Sequence, residues 1–221
     1  MVVLATKLYV GGEARERAVD SLSSLVDNAV GDLQVSWTVG VRDDGFPSVT
    51  VEGADAVAAR NVLREEWGAI TPDFEAGETY VGTLESWNDD GFVLDAGRRI
   101  RVPADGIGLG PGTPEQIRTR FGIVQHIPLR FVYGEPPRLA DAERDRLFEW
   151  TRGSGRLNIN SATRAEVRAT INRAGHAEDI VTVERLGLLE QSVVCREGTD
   201  PPGLLASVGQ YLPSELLCVV P

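Results

Sequence analysis

Two breaks divide the sequence into three segments whose apolar residues follow different patterns. The first break spans residues 72–77 and the second contains Pro136-Pro137. Between them the pattern is that of short β-strands, whereas the flanking segments mix strand and helix periodicities. This order predicts an α+β chain of three small domains, over residues 1–72, 76–135 and 138–221.

The N-terminal segment has the element order strand, helix, strand, strand, helix. Strands are predicted over residues 2–10, 33–41 and 48–52, and Gly11-Gly12 ends the first of them. Apolar residues at helical spacing predict the inward-facing side chains of the two helices, which are Ala18, Leu22, Leu25, Val26 and Ala29, then Ala59, Val62 and Leu63. This order is typical of a ferredoxin-like α+β domain.

The central segment is almost purely β. A short helix is predicted near residues 114–120, and strands are predicted over residues 79–86, 92–95, 98–102 and 127–132. A turn at residues 88–91 closes the first hairpin. Short strands, a glycine-rich loop and a small helix before the last strand indicate an OB-type β-barrel.

The last segment starts with a helix over residues 141–150 and then shows the order βαββαβ. Its strands and helices are predicted, in chain order, over residues 156–160, 161–174, 179–184, 188–196, 201–212 and 216–220. Thr163 and Glu166 have the spacing of a capping box, and Asp200 precedes a proline at the start of the next helix. The segment therefore predicts a second ferredoxin-like unit.

Basic residues are concentrated in two stretches of an otherwise acidic chain. The formal net charge is -11, and Lys7 is the only lysine. The first stretch contains Arg98, Arg99, Arg101, Arg118, Arg120 and Arg130, and the second contains Arg152, Arg156, Arg164, Arg168 and Arg173. Clusters built from arginine alone favour a phosphate-bearing partner. Ion pairs with carboxylates scattered over the surface are the alternative, because residues clustered in sequence can be dispersed in space.

The composition also indicates where such a protein works. Acid-rich, lysine-poor sequences are typical of cytosolic proteins of salt-loving archaea, so we expect a cytoplasmic protein. At molar salt the Debye length is about 3 Å, so phosphate recognition would depend on close, bidentate arginine contacts. No apolar run approaches the roughly 20 residues that span a bilayer, and Cys195 and Cys218 are predicted to be reduced thiols.

Residues 77–107 resemble the S1 family of RNA-binding domains. The residues that follow the pattern of that family are Gly77, Tyr80, Gly82, Gly91, Phe92, Val93 and Asp95. S1 domains are OB barrels whose strand aromatics stack on bases, so the resemblance makes Tyr80, Trp87 and Phe92 the candidate aromatics, with Tyr80 or Phe92 expected to stack. Asp90 and Pro103 stand where the family has an aromatic residue and a histidine, which leaves the stacking set incomplete. Packing inside the barrel is the alternative for both rings.

The whole chain is also similar to an archaeal family of conserved domains of unknown function. The stretches that carry this similarity are residues 41–53, 120–131 and 183–200. The resemblance implies an archaeal, haloarchaeal-type origin and brings no activity with it.

Signatures of catalysis are missing from the sequence. The glycines between residues 106 and 112 lack the Lys-Ser/Thr of a phosphate-binding loop. His126 and His176 have no metal-ligand partners at suitable spacing, and Ser154 is not in a nucleophile elbow. We therefore expect a protein that is not an enzyme and uses no metal and no cofactor.

The expected function is RNA association, with ribosomal RNA or the translation apparatus as partner. The residues expected to bind RNA are Tyr80, Phe92, Arg98, Arg99, Arg101, Arg118, Arg120, Arg130, Arg156, Arg164 and Arg168. If both arginine stretches serve one ligand, the pair Arg99 and Arg101 should share a face with Arg164 and Arg168. The alternative is a protein-binding adaptor on transcription or other information-processing machinery, without nucleic-acid contact.

Overall fold

Three antiparallel sheets, in a mixed α+β arrangement, form the computed structural model, which describes residues 1–221. Seven α-helices accompany them, and none combines the length and apolarity needed to cross a membrane. Each sheet is built from strands that are contiguous in sequence, so the three predicted segments correspond to three sheets.

The N-terminal sheet has the strand order β1-β3-β2. Its elements are β1 (Val2–Val3), α1 (Gly12–Val30), β2 (Val35–Val41), β3 (Pro47–Gly53) and α2 (Ala56–Trp67). The predicted strand over residues 2–10 is too long, because after β1 only Leu4 forms a further bridge, to Ala69. The prediction for Val62 is also wrong. Its side chain is exposed, and α2 instead buries Ala59, Leu63 and Trp67 at four-residue spacing.

The central sheet curls into a half-barrel with the order β6-β5-β4-β7-β8. Its elements are β4 (Thr79–Asn88), β5 (Gly91–Asp95), β6 (Arg99–Pro103), α3 (Ala104–Ile107), α4 (Pro114–Arg120), β7 (Pro128–Val132), β8 (Arg138–Leu139) and α5 (Asp141–Trp150). The long strand β4 pairs with β7 through its first half and with β5 through its second half, with a register shift beside Glu85. Such an irregularity bends a strand and increases its twist.

Residues 138–150 lie with the central sheet and not with the last segment to which the sequence assigned them. Strand β8 pairs with β7, and α5 contributes Leu147 and Trp150 to the central core. The apolar face of a helix can be read from the sequence, but the sheet that receives it depends on the tertiary fold.

The C-terminal sheet has the order β10-β11-β9-β12. Its elements are β9 (Arg156–Ile159), α6 (Arg164–Arg173), β10 (Ile180–Arg185), β11 (Gln191–Cys195), α7 (Pro201–Gly209) and β12 (Leu216–Val219), with a short 3-10 turn at Ala177–Asp179. The predicted capping box is present, since Thr163 and Glu166 each accept a backbone N–H from the other. Asp200 likewise accepts the N–H of Gly203 and begins α7.

Each sheet has its own apolar core, but two of these cores are completed by residues from another segment. Leu188 and Leu189 pack into the N-terminal core, and Val219 of β12 packs into the central core. Leu188 and Leu189 were predicted to begin a strand, which in the structure starts only at Gln191. The shared cores join the three sheets into one packed unit.

Candidate nucleic-acid interface

Strand β6 forms one edge of the central sheet and contains two of the arginines that the sequence predicted to bind phosphate. Ile100 and Val102 are buried, while Arg99 and Arg101 are exposed on the opposite face, as the alternation of a strand requires. Neither arginine forms an ion pair with a carboxylate. Both guanidinium groups are therefore available to an anion from outside the chain.

The strand register explains why Arg99 has no carboxylate partner. Asp95 lies directly opposite Arg99 on β5. Its carboxylate is already held by Lys7 Nζ at 2.7 Å and by the backbone N–H of Gly97 at 3.0 Å. Arg101 lies opposite Val93, which offers no charge. Lys7, from the N-terminal segment, thus competes with Arg99 for the one acid that the sheet places beside it.

Arg98 connects this edge to a group of aromatic rings. Its Cζ lies 4.2 Å from the ring centroid of Phe74 and 4.9 Å from that of Tyr133. Phe74 in turn packs against Tyr80, with 4.6 Å between the ring centroids. Arg98 itself is exposed and has no carboxylate partner. We call Arg98, Arg99 and Arg101 the arginine edge. It combines positive charge with neighbouring aromatic rings, and proteins that bind single-stranded nucleic acids use the same combination.

Of the two predicted stacking residues, the structure leaves only Tyr80 partly accessible. The Tyr80 hydroxyl accepts the N–H of Glu75 at 2.8 Å, and its ring is half-buried. Phe92 is 1% exposed and lies inside the central core. The stacking role suggested for Phe92 is therefore wrong for this conformation, because β5 directs the ring into the curled sheet.

Arg118 is the clearest departure from the predicted phosphate contacts. It is 5% exposed, its guanidinium stacks on Trp87 at 3.8 Å, and it binds Glu215 at 2.5 Å and Glu115 at 3.3 Å. It also donates to the carbonyl oxygen of Ile123 at 3.2 Å. The prediction that Arg118 binds RNA is wrong in this structure, because its donors are already used to join α4 to the C-terminal sheet.

Arg120, Arg130 and Arg156, which were also predicted to bind RNA, each contact acceptors within the chain. Arg120 donates to the carbonyl oxygens of Leu109 and Pro111, although it is exposed. Arg130 lies 3.6 Å from Glu143, and Arg156 pairs with Glu184. These contacts are within the chain, so they weaken the case for a phosphate at each position.

Arg164 and Arg168 are two of the four arginines of the second stretch that are exposed and have no carboxylate partner; the other two are Arg152 and Arg173. Arg164 and Arg168 lie one turn apart on α6, while Glu166 between them pairs with Arg17 of α1 at 2.7 Å. They keep the availability that the sequence predicted. A shared face with Arg99 and Arg101 stays a prediction.

A partly buried polar cluster that sequence reasoning missed lies where the three sheets meet. It comprises Lys7, Tyr9, Glu85, Asp95, His126 and Glu190, and we call it the junction cluster. The Tyr9 hydroxyl donates to Glu190 Oε1 at 2.6 Å and accepts the backbone N–H of Ser161 at 2.9 Å. Its ring lies 3.9 Å from that of His126, whose Nδ1 is 3.3 Å from Glu85. Lys7 completes the cluster with Glu85 at 3.1 Å.

Burial sets the electrostatics of the junction cluster. It raises the pKa of Glu190 to about 8, although the hydrogen bond from Tyr9 opposes the shift. Burial would also raise the pKa of Glu85, but contacts from His126, Lys7 and Thr83 lower it to about 2. The two carboxyl groups therefore differ in charge at neutral pH, because Lys7 lies beside Glu85 and no cation lies beside Glu190.

Two residues that contact the Tyr9 side chain have strained backbone conformations. His126 and Ser161 are the two residues other than glycine with positive φ, at 68° and 59°. One places its ring on Tyr9 and the other donates its N–H to the Tyr9 hydroxyl. Such conformations persist only where the surrounding contacts hold them. No apolar periodicity or motif marks these residues, so pattern analysis could not have found them.

Three family models match consecutive parts of the chain. They are the DUF2110 N-terminal domain over residues 1–73, the DUF2110 central domain over residues 74–151 and the DUF2110 C-terminal domain over residues 154–220. A comparison with curated proteins finds no match. The central match includes β8 and α5, in agreement with the sheet that these elements join. The chain therefore belongs to the DUF2110 family.

Proposed function

We propose that this protein is a non-catalytic RNA-associated protein that contacts the sugar-phosphate backbone through the arginine edge. The observation that carries the proposal is the absence of carboxylate partners for Arg98, Arg99 and Arg101 in a chain with 33 acidic and 22 basic residues. Nine of the 21 arginines form an ion pair with a carboxylate of the chain. Three neighbouring cations without one favour an anion from outside the chain.

The fold supports this position for the interface. We interpret the central half-barrel as an S1-like OB domain, in which β4, β5 and β6 are the first three strands. OB folds bind oligonucleotides on the face of their second and third strands, and Arg99 and Arg101 lie on the third. We interpret the C-terminal βαββαβ unit as ferredoxin-like and the N-terminal unit as a ferredoxin-like domain whose last strand is reduced to the bridge at Ala69.

Recognition would be led by the backbone of the RNA and not by its sequence. With Phe92 buried, Phe74 and Tyr133 are the rings that contact Arg98, and Tyr80 packs against Phe74. Ribosomal RNA suits such a surface, because its folded backbone presents phosphates at fixed positions. Arg164 and Arg168 would add a second contact. An archaeal, salt-rich interior, which the composition favours, would require these contacts to be short-ranged.

The test is binding of labelled ribosomal RNA fragments to the purified protein over a series of salt concentrations. We expect the Arg99→Ala/Arg101→Ala variant to bind more weakly and to lower the slope of log K against log salt by about 1.4, since each lost phosphate contact on a single strand removes about 0.7. The matched control is Arg15→Ala/Arg42→Ala, which removes the same charge from the N-terminal segment. Absence of RNA or ribosome binding, or identical behaviour of the two variants, would overturn the proposal.

A protein-binding adaptor is the second candidate, and the edge strands of the outer sheets favour it. Strand β2 ends the N-terminal sheet and β10 ends the C-terminal sheet, where Val181 is 64% exposed. Unpaired edges can accept a strand from a partner. A pulldown from cell extract after complete RNase and DNase digestion separates the two functions. Partners that persist would favour the adaptor, and partners that vanish would favour RNA binding.

A further inference from the structure

A cavity of about 350 Å³ opens where the three sheets meet, and Arg130 and Tyr80 are among the residues that line it. The N-terminal segment contributes Trp67 to its wall, the central segment contributes Arg146, and the C-terminal segment contributes Arg185. Four arginines and three glutamates line it, which leaves an excess of one positive charge in a chain of net charge -11. The charge of the cavity lining is therefore opposite in sign to the net charge of the chain.

Three N–H donors of the lining residues have no hydrogen-bond acceptor. Arg146 pairs with Glu143, whose buried carboxylate also accepts the backbone N–H of Arg130 at 3.2 Å. Arg185 pairs with Glu66 and stacks on the Trp67 ring, with 3.9 Å from Cζ to the ring centroid. After these contacts, Arg146 Nε, Arg185 Nη1 and Trp67 Nε1 remain without any acceptor.

Buried donors without acceptors are rare in folded proteins, because each loses its hydrogen bonds to water. A wall that served only to hold the sheets together would be expected to satisfy all three. The three belong to residues of one cavity, so a single ligand with several acceptor oxygens could satisfy them together. Neighbouring side chains cover these atoms, and the two arginines must turn toward a ligand to reach it.

Size and geometry narrow the class of ligand. Guanidinium groups bind phosphate through paired N–H donors and suit it better than a point charge does. A volume of 350 Å³ lies in the range of small-molecule pockets, and a bare phosphate ion would leave much of it empty. The Tyr80 side chain and the stem of Arg130 supply further contact surface on the wall.

We propose that this cavity binds a small phosphorylated molecule, with the phosphate group held by Arg146, Arg185 and Trp67. The inference does not rest on the proposed RNA function, because none of these three residues belongs to the arginine edge. A 5′-phosphate at an RNA end has the same chemistry as a free nucleotide, so the source of the phosphate is left to the experiment.

The test is isothermal titration calorimetry on the full chain with AMP, inorganic phosphate and adenosine. We expect saturable binding of AMP, weaker binding of inorganic phosphate and none of adenosine. Arg146→Lys keeps the charge near Glu143 but removes Nε, and Trp67→Phe keeps a ring beneath Arg185 but removes Nε1. Each should weaken AMP binding by about tenfold or more, the loss expected when a hydrogen bond to a charged group is removed.

Arg144→Lys is the matched control on the same helix, because Arg144 pairs with Asp141 outside the cavity. It should bind AMP as the unsubstituted protein does. RNA oligonucleotides with a 5′-phosphate or a 5′-hydroxyl form a second arm; a preference for the 5′-phosphate that Arg146→Lys abolishes would identify an RNA end as the source.

No saturable binding of either phosphate compound, or equal affinity in Arg146→Lys, Trp67→Phe and Arg144→Lys, would overturn the inference. If Arg146→Lys fails to fold, Trp67→Phe decides alone. If the protein binds nucleotide but no RNA, the phosphate site is supported and the proposed RNA function is overturned. If the protein binds RNA through Arg99 and Arg101 but binds no nucleotide, the proposed RNA function is supported and the phosphate site is overturned.

Discussion

The arginine edge and the junction between the sheets use the same residue type in opposite environments. At the edge, Arg99 and Arg101 are exposed and have no carboxylate partner. At the junction, Arg146 and Arg185 are partly buried and each pairs with a glutamate: Arg146 with Glu143 on the same helix, and Arg185 with Glu66 of α2. An edge strand has one neighbour and so few acids within reach, whereas a junction collects side chains from several elements.

This difference separates arginines that stabilise the fold from arginines available to bind. An exposed cation keeps most of its hydration, so losing it should cost the fold little. A buried cation must be paired, and removing it leaves its carboxylate partners unpaired in a poorly hydrated place. Variants that disturb each region can break this comparison or make it more quantitative.

The largest effect is expected at Arg118, the predicted RNA contact that proved to be buried. Arg118→Ala leaves Glu215 without its partner and removes the contact with Trp87. We expect it to lower the free energy of unfolding by about 3 kcal/mol, the lower end for a broken buried pair because Glu215 is partly exposed. Arg99→Ala should change it by less than about 0.5 kcal/mol. Urea unfolding measures both, and similar losses in the two variants would contradict the separation.

The second prediction concerns pH and isolates the junction cluster. Glu190 keeps its proton up to about pH 8 in the folded protein, whereas an unfolded carboxyl loses it near pH 4.5. Over that window the folded state binds more protons, so stability should fall as pH rises and level off above pH 8. The contribution of Glu85 changes only below pH 4.5, where its lowered pKa makes stability fall as pH drops toward 2.

Glu190→Gln should therefore remove the loss of stability between about pH 4.5 and 8, while Arg99→Ala/Arg101→Ala keeps it. Chemical unfolding at a series of pH values provides the measurement. If the free energy of unfolding changed with pH equally in Glu190→Gln and in the unsubstituted protein, the burial of Glu190 would not be the cause of the pH dependence.

The smallest effect tests how the two regions communicate. Lys7→Met would release Asp95 from its 2.7 Å contact and allow it to pair with Arg99. RNA binding should then lose about 0.7 from its salt slope, although Lys7 is nearly buried and is not expected to contact RNA. An unchanged slope would mean that Arg99 is free for a reason other than competition for Asp95. Circular dichroism should accompany the measurement, since Glu85 also loses a partner.

Local patterns predicted the elements well where one core receives the apolar face. The helices at residues 114–120 and 141–150 have the predicted bounds, and the order of elements in the C-terminal unit is confirmed. Two of the errors share one cause, which is that periodicity does not say which core an apolar residue joins. Residues 188 and 189 were predicted to belong to the strand that contains β11 but pack into the N-terminal core, and Phe92 fills the half-barrel.

The candidate site was less predictable than the fold, because pairing depends on distant partners. The sequence showed that Arg99 and Arg101 share a face, and this is confirmed. It could not show that Glu215 lies beside Arg118, ninety-seven residues away, or that Lys7 occupies Asp95. The junction cluster and the cavity assemble from all three segments, so no single stretch carries their signature.

The placement of Leu188 and Leu189 in the N-terminal core has a consequence for biosynthesis. On the ribosome, β1 to α2 emerge long before these two leucines, so the apolar surface that they cover stays open while the central half-barrel is translated. At about 5–20 residues per second this delay is on the order of ten seconds. The first domain to be synthesised is thus among the last to be finished, and during this interval the nascent chain presents a surface on which chaperones can act.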